Sequence, residues 1–139
     1  MSNALEAFLA RAQRELDDAA LKRFGEKVVS RWQTPRFMVS MPNPTRSATA
    51  VDPKYGDTVT IFLKLEGQKI ERATFLASGC GPTMVCGDAA AELAQGKTLA
   101  QARQLALADI LNLLETLPRD KHRCAQLAIE ALHTALDKC

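Results

Sequence analysis

Four cysteines stand in the chain, Cys80, Cys86, Cys124 and Cys139, and two of them sit where a thiol can do chemistry. Cys80 lies between Gly79 and Gly81, just ahead of Pro82. Flanking glycines leave room for close approach to the backbone. A strand-to-helix junction there places the sulfur at a helix N-terminus, whose unpaired N–H groups favour thiolate, the form that binds metal or accepts sulfur. Cys124 follows Lys121, His122 and Arg123 at the start of a helical pattern, where the helix dipole and positive neighbours act in the same direction. The alternative for both is a small buried hydrophobe. Asp57, in Tyr55-Gly56-Asp57, is an acidic residue at the entry to a strand, where a turn hydrogen bond is the simpler use. Cys86 falls one and a half turns after Cys80 and is expected to pack. Cys139, the last residue, is expected to fray. His122 is expected to be solvated, and His133 sits on the last helix. Neither a CxxC nor an HxxxH spacing occurs, so no self-sufficient zinc motif is present. The residues alone lead to a metal or thiol site using Cys80 and Cys124.

The elements that must hold these residues follow from periodicity. Leu5, Phe8, Leu9, Ala12, Leu16, Ala19, Ala20 and Phe24 recur at three- and four-residue spacing, which predicts an amphipathic helix over 3–24. Gly25 interrupts it, and a short helical piece runs to about Gln33. Pro35, Pro42, Pro44 and Pro53 make 34–55 extended, with a short edge strand at Ser47–Val51. Val59, Ile61, Leu63 and Leu65 alternate on one face of a strand over 58–65, expected to face inward. Glu66-Gly67-Gln68 turns the chain into a returning strand over 69–78, with Ile70, Phe75 and Leu76 as its apolar members. A helix follows from Pro82 to about Gln95, stopped by Gly96. Thr98 caps the next, and Leu105–Leu114 continues the helical pattern until Pro118 breaks it. The last helix begins near 121–124 and carries Cys124, Leu127, Ala128, Ala131, Leu132 and Ala135 on one face. Strands and helices are segregated, so the fold class is α+β.

Composition bounds the function. The chain has 139 residues, fitting one domain, with 47% apolar and 24% charged residues, an ordinary globular balance. A net charge of +2 is too small for a nucleic-acid or acidic-membrane surface, and 5% aromatics leaves no stacking platform. There is no apolar run near the ~20 residues of a membrane span and no secretory pattern at the N-terminus, so a cytoplasmic location is expected, with thiols rather than disulfides.

Several motifs then line up in order: Gly56-Asp57-Thr58, Gly79-Cys80-Gly81-Pro82-Thr83, Gly96-Lys97-Thr98, Leu117-Pro118, and Lys121 through Cys124-Ala125 with Leu127-Ala128. Over about residues 34–138 the chain resembles the iron–sulfur cluster assembly scaffold family of the IscU and NifU N-terminal type. Upstream, Gly25-Glu26-Lys27 and Arg31-Trp32 through Pro35-Arg36 resemble its bacterial and archaeal branch. The resemblance implies a small three-stranded antiparallel sheet packed with helices, a long N-terminal helix (1–33 as a helical extension, 34–138 as the scaffold core), and a carrier rather than an enzyme. It implies a surface site holding iron, a transient [2Fe–2S] cluster or zinc, with Asp57, Cys80 and Cys124 as the matching ligands and His122 or Cys86 as substitutes. It implies sulfur supply by a cysteine desulfurase, and a monomer or weak homodimer.

Three positions depart from the family pattern. Tyr55 stands where the first cysteine is expected, Arg123 stands where a histidine often precedes the last cysteine, and Leu117-Pro118-Arg119-Asp120-Lys121 carries Arg119 in the segment read by an Hsp70-type chaperone. Cluster sites normally take four thiolate or imidazole ligands, so a second subunit or an unusual residue must complete this one. Two other functions fit the same residues: a metal-free paralogue that binds or regulates the assembly machinery, and a zinc-assisted sulfur acceptor. The zinc-bearing branch, however, carries an insertion not seen here between Gly96 and Cys124.

Overall fold

The computed structural model describes residues 2–138; Cys139 and its expected fraying lie outside them. The chain runs α1 (Ser2–Phe24), α2 (Glu26–Gln33), β1 (Arg46–Val51), β2 (Thr58–Glu66), β3 (Lys69–Ser78), α3 (Gly81–Ala94), α4 (Leu99–Arg103), α5 (Leu107–Leu114) and α6 (His122–Asp137). A 3-10 turn at Arg119–Lys121 follows Pro118. The sheet is antiparallel in the order β1-β2-β3, with Ile61 opposite Ala48 on one side and Phe75 on the other. The fold is α+β, as the segregation of strand and helix patterns predicts.

Period-two alternation places Val59, Ile61 and Leu63 in the core. Leu65 is only half-buried, because the β2–β3 register shifts between Lys64 and Leu65, and a bulge re-aims the side chains beyond it. Leu76 is exposed, whereas Ile70 and Phe75 are buried: neighbouring strand positions point to opposite faces, so Phe75 and Leu76 cannot share one. The core lies between the sheet and the helices α3 and α6, both packed on it. Small side chains allow that approach. Ala89, Ala90, Ala91 and Ala94 of α3 and Ala125, Ala128, Ala131 and Ala135 of α6 are fully buried. A Cβ at Gly87 would sit 2.5 Å from the Phe75 ring.

The helical pattern expected over 98–114 divides in two. Thr98 caps α4 through a reciprocal capping box with Gln101, and the chain leaves the helix at Gln104–Ala106 before α5. α1 forms as its periodicity predicts, yet Leu5, Phe8, Leu9 and Leu16 are 55–66% exposed. Only its end is anchored: Phe24 is buried and Ala20 packs against the core. Amphipathic spacing specifies the helix but not what covers it.

One buried charge ties α2 and the following loop to α3. Asp88 is fully buried; its carboxylate accepts from Arg31 at 2.8 Å and from the Phe37 backbone N–H at 2.7 Å. This holds Trp32 against Gly81, the first residue of α3, where a Cβ would overlap the indole ring. Asp88→Ala should therefore cost about 1–3 kcal/mol, since it leaves the Phe37 backbone donor without its acceptor while Arg31 keeps only its longer pairing with Glu92 at 3.3 Å. Breaking the exposed Arg23–Asp120 pair by Asp120→Ala should cost under about 1 kcal/mol. Urea unfolding of the two variants beside the wild type checks the contrast, and equal losses would contradict it.

Candidate metal and thiol site

Three element starts meet at one end of the sheet. Asp57 immediately precedes β2, Cys80 caps the N-terminus of α3, and Cys124 is the third residue of α6. One carboxylate oxygen and the two sulfurs lie within 4.8 Å of one another, the one such group of acidic, histidine or cysteine side chains found among the described residues. Two sulfurs on one tetrahedral ion lie roughly 4 Å apart, so only slight closure is needed for a shared ion. Asp57 and Cys124 are buried and Cys80 is half-buried.

Local sequence explains the convergence. Asp52 makes a turn in which its side chain accepts from the Lys54 and Tyr55 N–H groups, and its N–H donates to the Asp57 carbonyl. This folds residues 52–57 so that Asp57 points inward. Gly79 (φ +142°) admits the carboxylate: a Cβ there would lie 2.6 Å from Asp57 Cγ. Cys80 takes extended backbone angles and Pro82 is accommodated in the first turn. That places Thr83, fully buried, one helical turn on. Its hydroxyl donates to Asp57 Oδ2 at 2.7 Å and lies 3.3 Å from Cys80 Sγ and 3.4 Å from Cys124 Sγ.

The two thiols differ. Burial pushes the Cys80 thiol up, but the Thr83 N–H and the Thr83 hydroxyl, which can turn its one proton from Asp57 to an ionised sulfur, outweigh it, and Cys80 sits below its ordinary value despite the Asp57 charge. Burial pushes Cys124 up, with the Cys80 charge adding to it; Thr83 and Arg123 only partly compensate. Cys80 is thus the first to ionise. It also faces a surface cavity of about 300 Å³ lined by Trp32, Met38, Ala77 and Met84. A larger cavity of about 550 Å³ lies beside α2 among Lys27, Arg31, Arg36 and Glu92, whose charges are paired with one another or with neighbours.

The substitutes considered for the site stand elsewhere. Cys86 is fully buried in the core, and burial raises its thiol well above the usual range. The His122 ring nitrogen Nε2 lies 3.1 Å from the Leu117 carbonyl oxygen, so the ring turns back on the preceding loop. Tyr55 is exposed, with its ring over the Arg123 guanidinium at 4.0 Å. Arg123 Nη1 donates to Asp52 at 3.1 Å and Asp57 at 3.2 Å. Burial works against the charge on Arg123, but the bond to Asp57 and the surrounding negative groups raise its pKa further. Sequence reasoning missed Asp52 and the central role of Thr83. The signals were an aspartate directly before a proline-led turn and a threonine three residues after a helix cap.

This constellation defines a class: a thiol–carboxylate site at the end of a three-stranded sheet, on two helix N-termini. The chain belongs to the NifU-like N-terminal domain family, whose model matches residues 23–139. It is 30% identical to iron–sulfur cluster assembly scaffold protein IscU 1 of Archaeoglobus fulgidus, over 81% of this chain and 74% of that one. It is 31% identical to iron–sulfur cluster assembly scaffold protein IscU of Escherichia coli, over 81% and 91%. In fold it matches the crystal structure of the N-terminal part of a nitrogen-fixing NifU-like protein from Brucella abortus, with a TM-score of 0.67 at 17% identity, covering 84% of this chain and 93% of that one. Among the described residues no helix is long and apolar enough to cross a membrane.

Because Thr83 holds the Cys80 pKa down, Thr83→Val should raise it and lower the thiolate fraction near neutral pH. Alkylation of Cys80 by iodoacetamide, followed peptide by peptide, should shift to higher pH, at a stability cost of about 1–3 kcal/mol for the deprived Asp57 carboxylate. An unchanged alkylation profile would contradict the role of the hydroxyl.

Proposed function

We propose that the protein is an iron–sulfur cluster assembly scaffold, on which iron and sulfide, as cargo, are joined into a [2Fe–2S] unit at Asp57, Cys80 and Cys124. The observation that carries this reading is the meeting of those three donors within 4.8 Å in a member of the NifU-like N-terminal family. Kinship with proteins named as assembly scaffolds supports it. The donor set is chemically suited: thiolates bind iron in such clusters, and two thiolates with a carboxylate also bind zinc. Cys80 is the thiol that takes sulfur from a cysteine desulfurase. Its thiolate attacks the outer sulfur of the desulfurase persulfide as the desulfurase thiolate leaves, and a thiol or ferredoxin-type reductant supplying two electrons then frees that sulfur as sulfide. Cys80 has this part because its thiol is the more easily ionised and is reached from the surface. Cys124, buried behind it, completes the grip. The protein releases its cargo readily, since one chain supplies three donors where clusters normally take four.

A second reading, a metal-free member that binds or regulates the assembly machinery, is favoured by one observation: Asp57 already holds a cation, the Arg123 guanidinium. Iron, zinc and sulfide analysis after anaerobic purification without an affinity tag separates the two readings.

Tyr55 stands at the rim of the site, its ring covering Arg123 beside Asp57. Tyr55→Cys should add a thiolate and strengthen zinc and cluster binding by a few kcal/mol, within the ~10–16 kcal/mol of a full structural zinc site. Cys80→Ser should abolish both. Side-by-side zinc titration and anaerobic reconstitution check this. Equal binding by wild type and Tyr55→Cys would mean that position 55 does not reach the ion.

A further inference from the structure

Lone-pair bookkeeping at Asp57 shows a competition inside the site. The oxygen facing the sulfurs is Oδ2, 3.8 Å from Cys80 Sγ. Besides the long contact from the Cys80 thiol, which ionisation of that thiol removes, it accepts two hydrogen bonds, from the Thr83 hydroxyl at 2.7 Å and from Arg123 Nη1 at 3.2 Å. A carboxylate oxygen has about two lone-pair positions, so a metal ion bound through Oδ2, the oxygen nearest Cys80, competes with both donors. The threonine is fully buried on α3, so its backbone is fixed. The arginine side chain is partly exposed and has a second carboxylate in reach, Asp52 Oδ2 at 3.1 Å from the same nitrogen. The Tyr55 ring, 4.0 Å above the guanidinium, keeps it at the site by a cation–π contact rather than letting it swing into solvent.

We propose that Arg123 is the affinity- and specificity-determining residue of this site: an internal cation that occupies Asp57 when no metal is bound and moves wholly onto Asp52 when a divalent ion enters. The inference rests on the metal-site reading above and adds to it an exchange between guanidinium and metal at one oxygen. A monovalent ion gains too little from the carboxylate to displace a guanidinium held by a charge-assisted bond, whereas a divalent ion bound to two thiolates gains enough. Asp52 is the resting partner that makes the exchange cheap, because the displaced charge stays paired. Arg123 does not touch the ion in the loaded state; it acts through Asp57.

The test is a double-mutant cycle on zinc affinity, with a chromophoric chelator as competitor and with thermal melting to establish that each variant is folded. Arg123→Gln should bind zinc roughly tenfold or more tightly than wild type, since it removes a charge-assisted bond that must otherwise be broken. Asp52→Asn should weaken binding in the wild-type background by removing the resting partner. In the Arg123→Gln background the same change should have much less effect, because the guanidinium it serves is gone. Additive effects would mean that both residues act only through general charge, and would overturn the exchange. A second measurement uses the folded wild type alone. Tyr55 is the single tyrosine, so its ring resonances report the guanidinium beneath it; they should shift as zinc is added, and an unchanged ring spectrum in zinc-bound protein would overturn the proposal. The outcomes also separate the two readings. Zinc bound through Cys80 with equal affinity in wild type and Arg123→Gln defeats the exchange alone. Zinc bound equally well by Cys80→Ser, or by none of the folded proteins, defeats the metal-site reading and the exchange with it.

Discussion

The hydrogen bond from Thr83 to Asp57 is the interaction on which the site depends. It is short at 2.7 Å, fully buried at the donor, and joins the first turn of α3 to the start of β2. The same hydroxyl lies against both site sulfurs, so one oxygen fixes the mutual placement of Asp57, Cys80 and Cys124. It has one proton to give. While Asp57 takes that proton, Cys80 meets the lone pairs of the hydroxyl. When Cys80 ionises, the hydroxyl can rotate towards the sulfur. The site therefore contains a small, adaptable donor between a carboxylate and two thiols, and the more exposed thiol is the one it activates.

The remainder of the fold keeps those element starts in register. α3 and α6 can place their N-termini side by side only because alanines line their buried faces and Gly87 lies on Phe75. Larger residues would separate the helices and, with them, the two sulfurs. On the other side, Arg31 and Phe37 converge on the buried Asp88, which seats Trp32 over the first turn of α3. Trp32 in turn meets Phe24 edge-on at 5.9 Å, so the end of α1 joins the same stack. The chain of support runs from a buried ion pair, through an indole ring, to the backbone that holds Cys80.

Much of this was legible in the residues. Period-two alternation located β2, glycine and proline located the start of α3, and helix starts at Cys80 and Cys124 singled out the two thiols. The unread parts have physical reasons. Periodicity says that α1 is amphipathic, but its exposed Leu5, Phe8, Leu9 and Leu16 show that a stripe does not specify a covering surface. The register shift at Lys64/Leu65 depends on pairing with β3 rather than on β2 itself. Asp52 and Arg123 stand 71 residues apart, and no local pattern pairs them. Tyr55 and Arg123 were visible as departures from a family pattern, but only the fold shows that they depart together, ring over guanidinium, around the carboxylate that a metal would use.

Cys80, Cys124 and Asp57 are proposed to hold one ion together. X-ray absorption at the zinc edge of the anaerobically zinc-loaded protein tests it most directly, because it counts sulfur neighbours whatever the affinity. Two sulfurs are expected at about 2.3 Å with oxygen or nitrogen at about 2.0–2.2 Å completing the shell, and one sulfur should be lost in Cys124→Ser. A shell without sulfur, or one unchanged by that substitution, would contradict it.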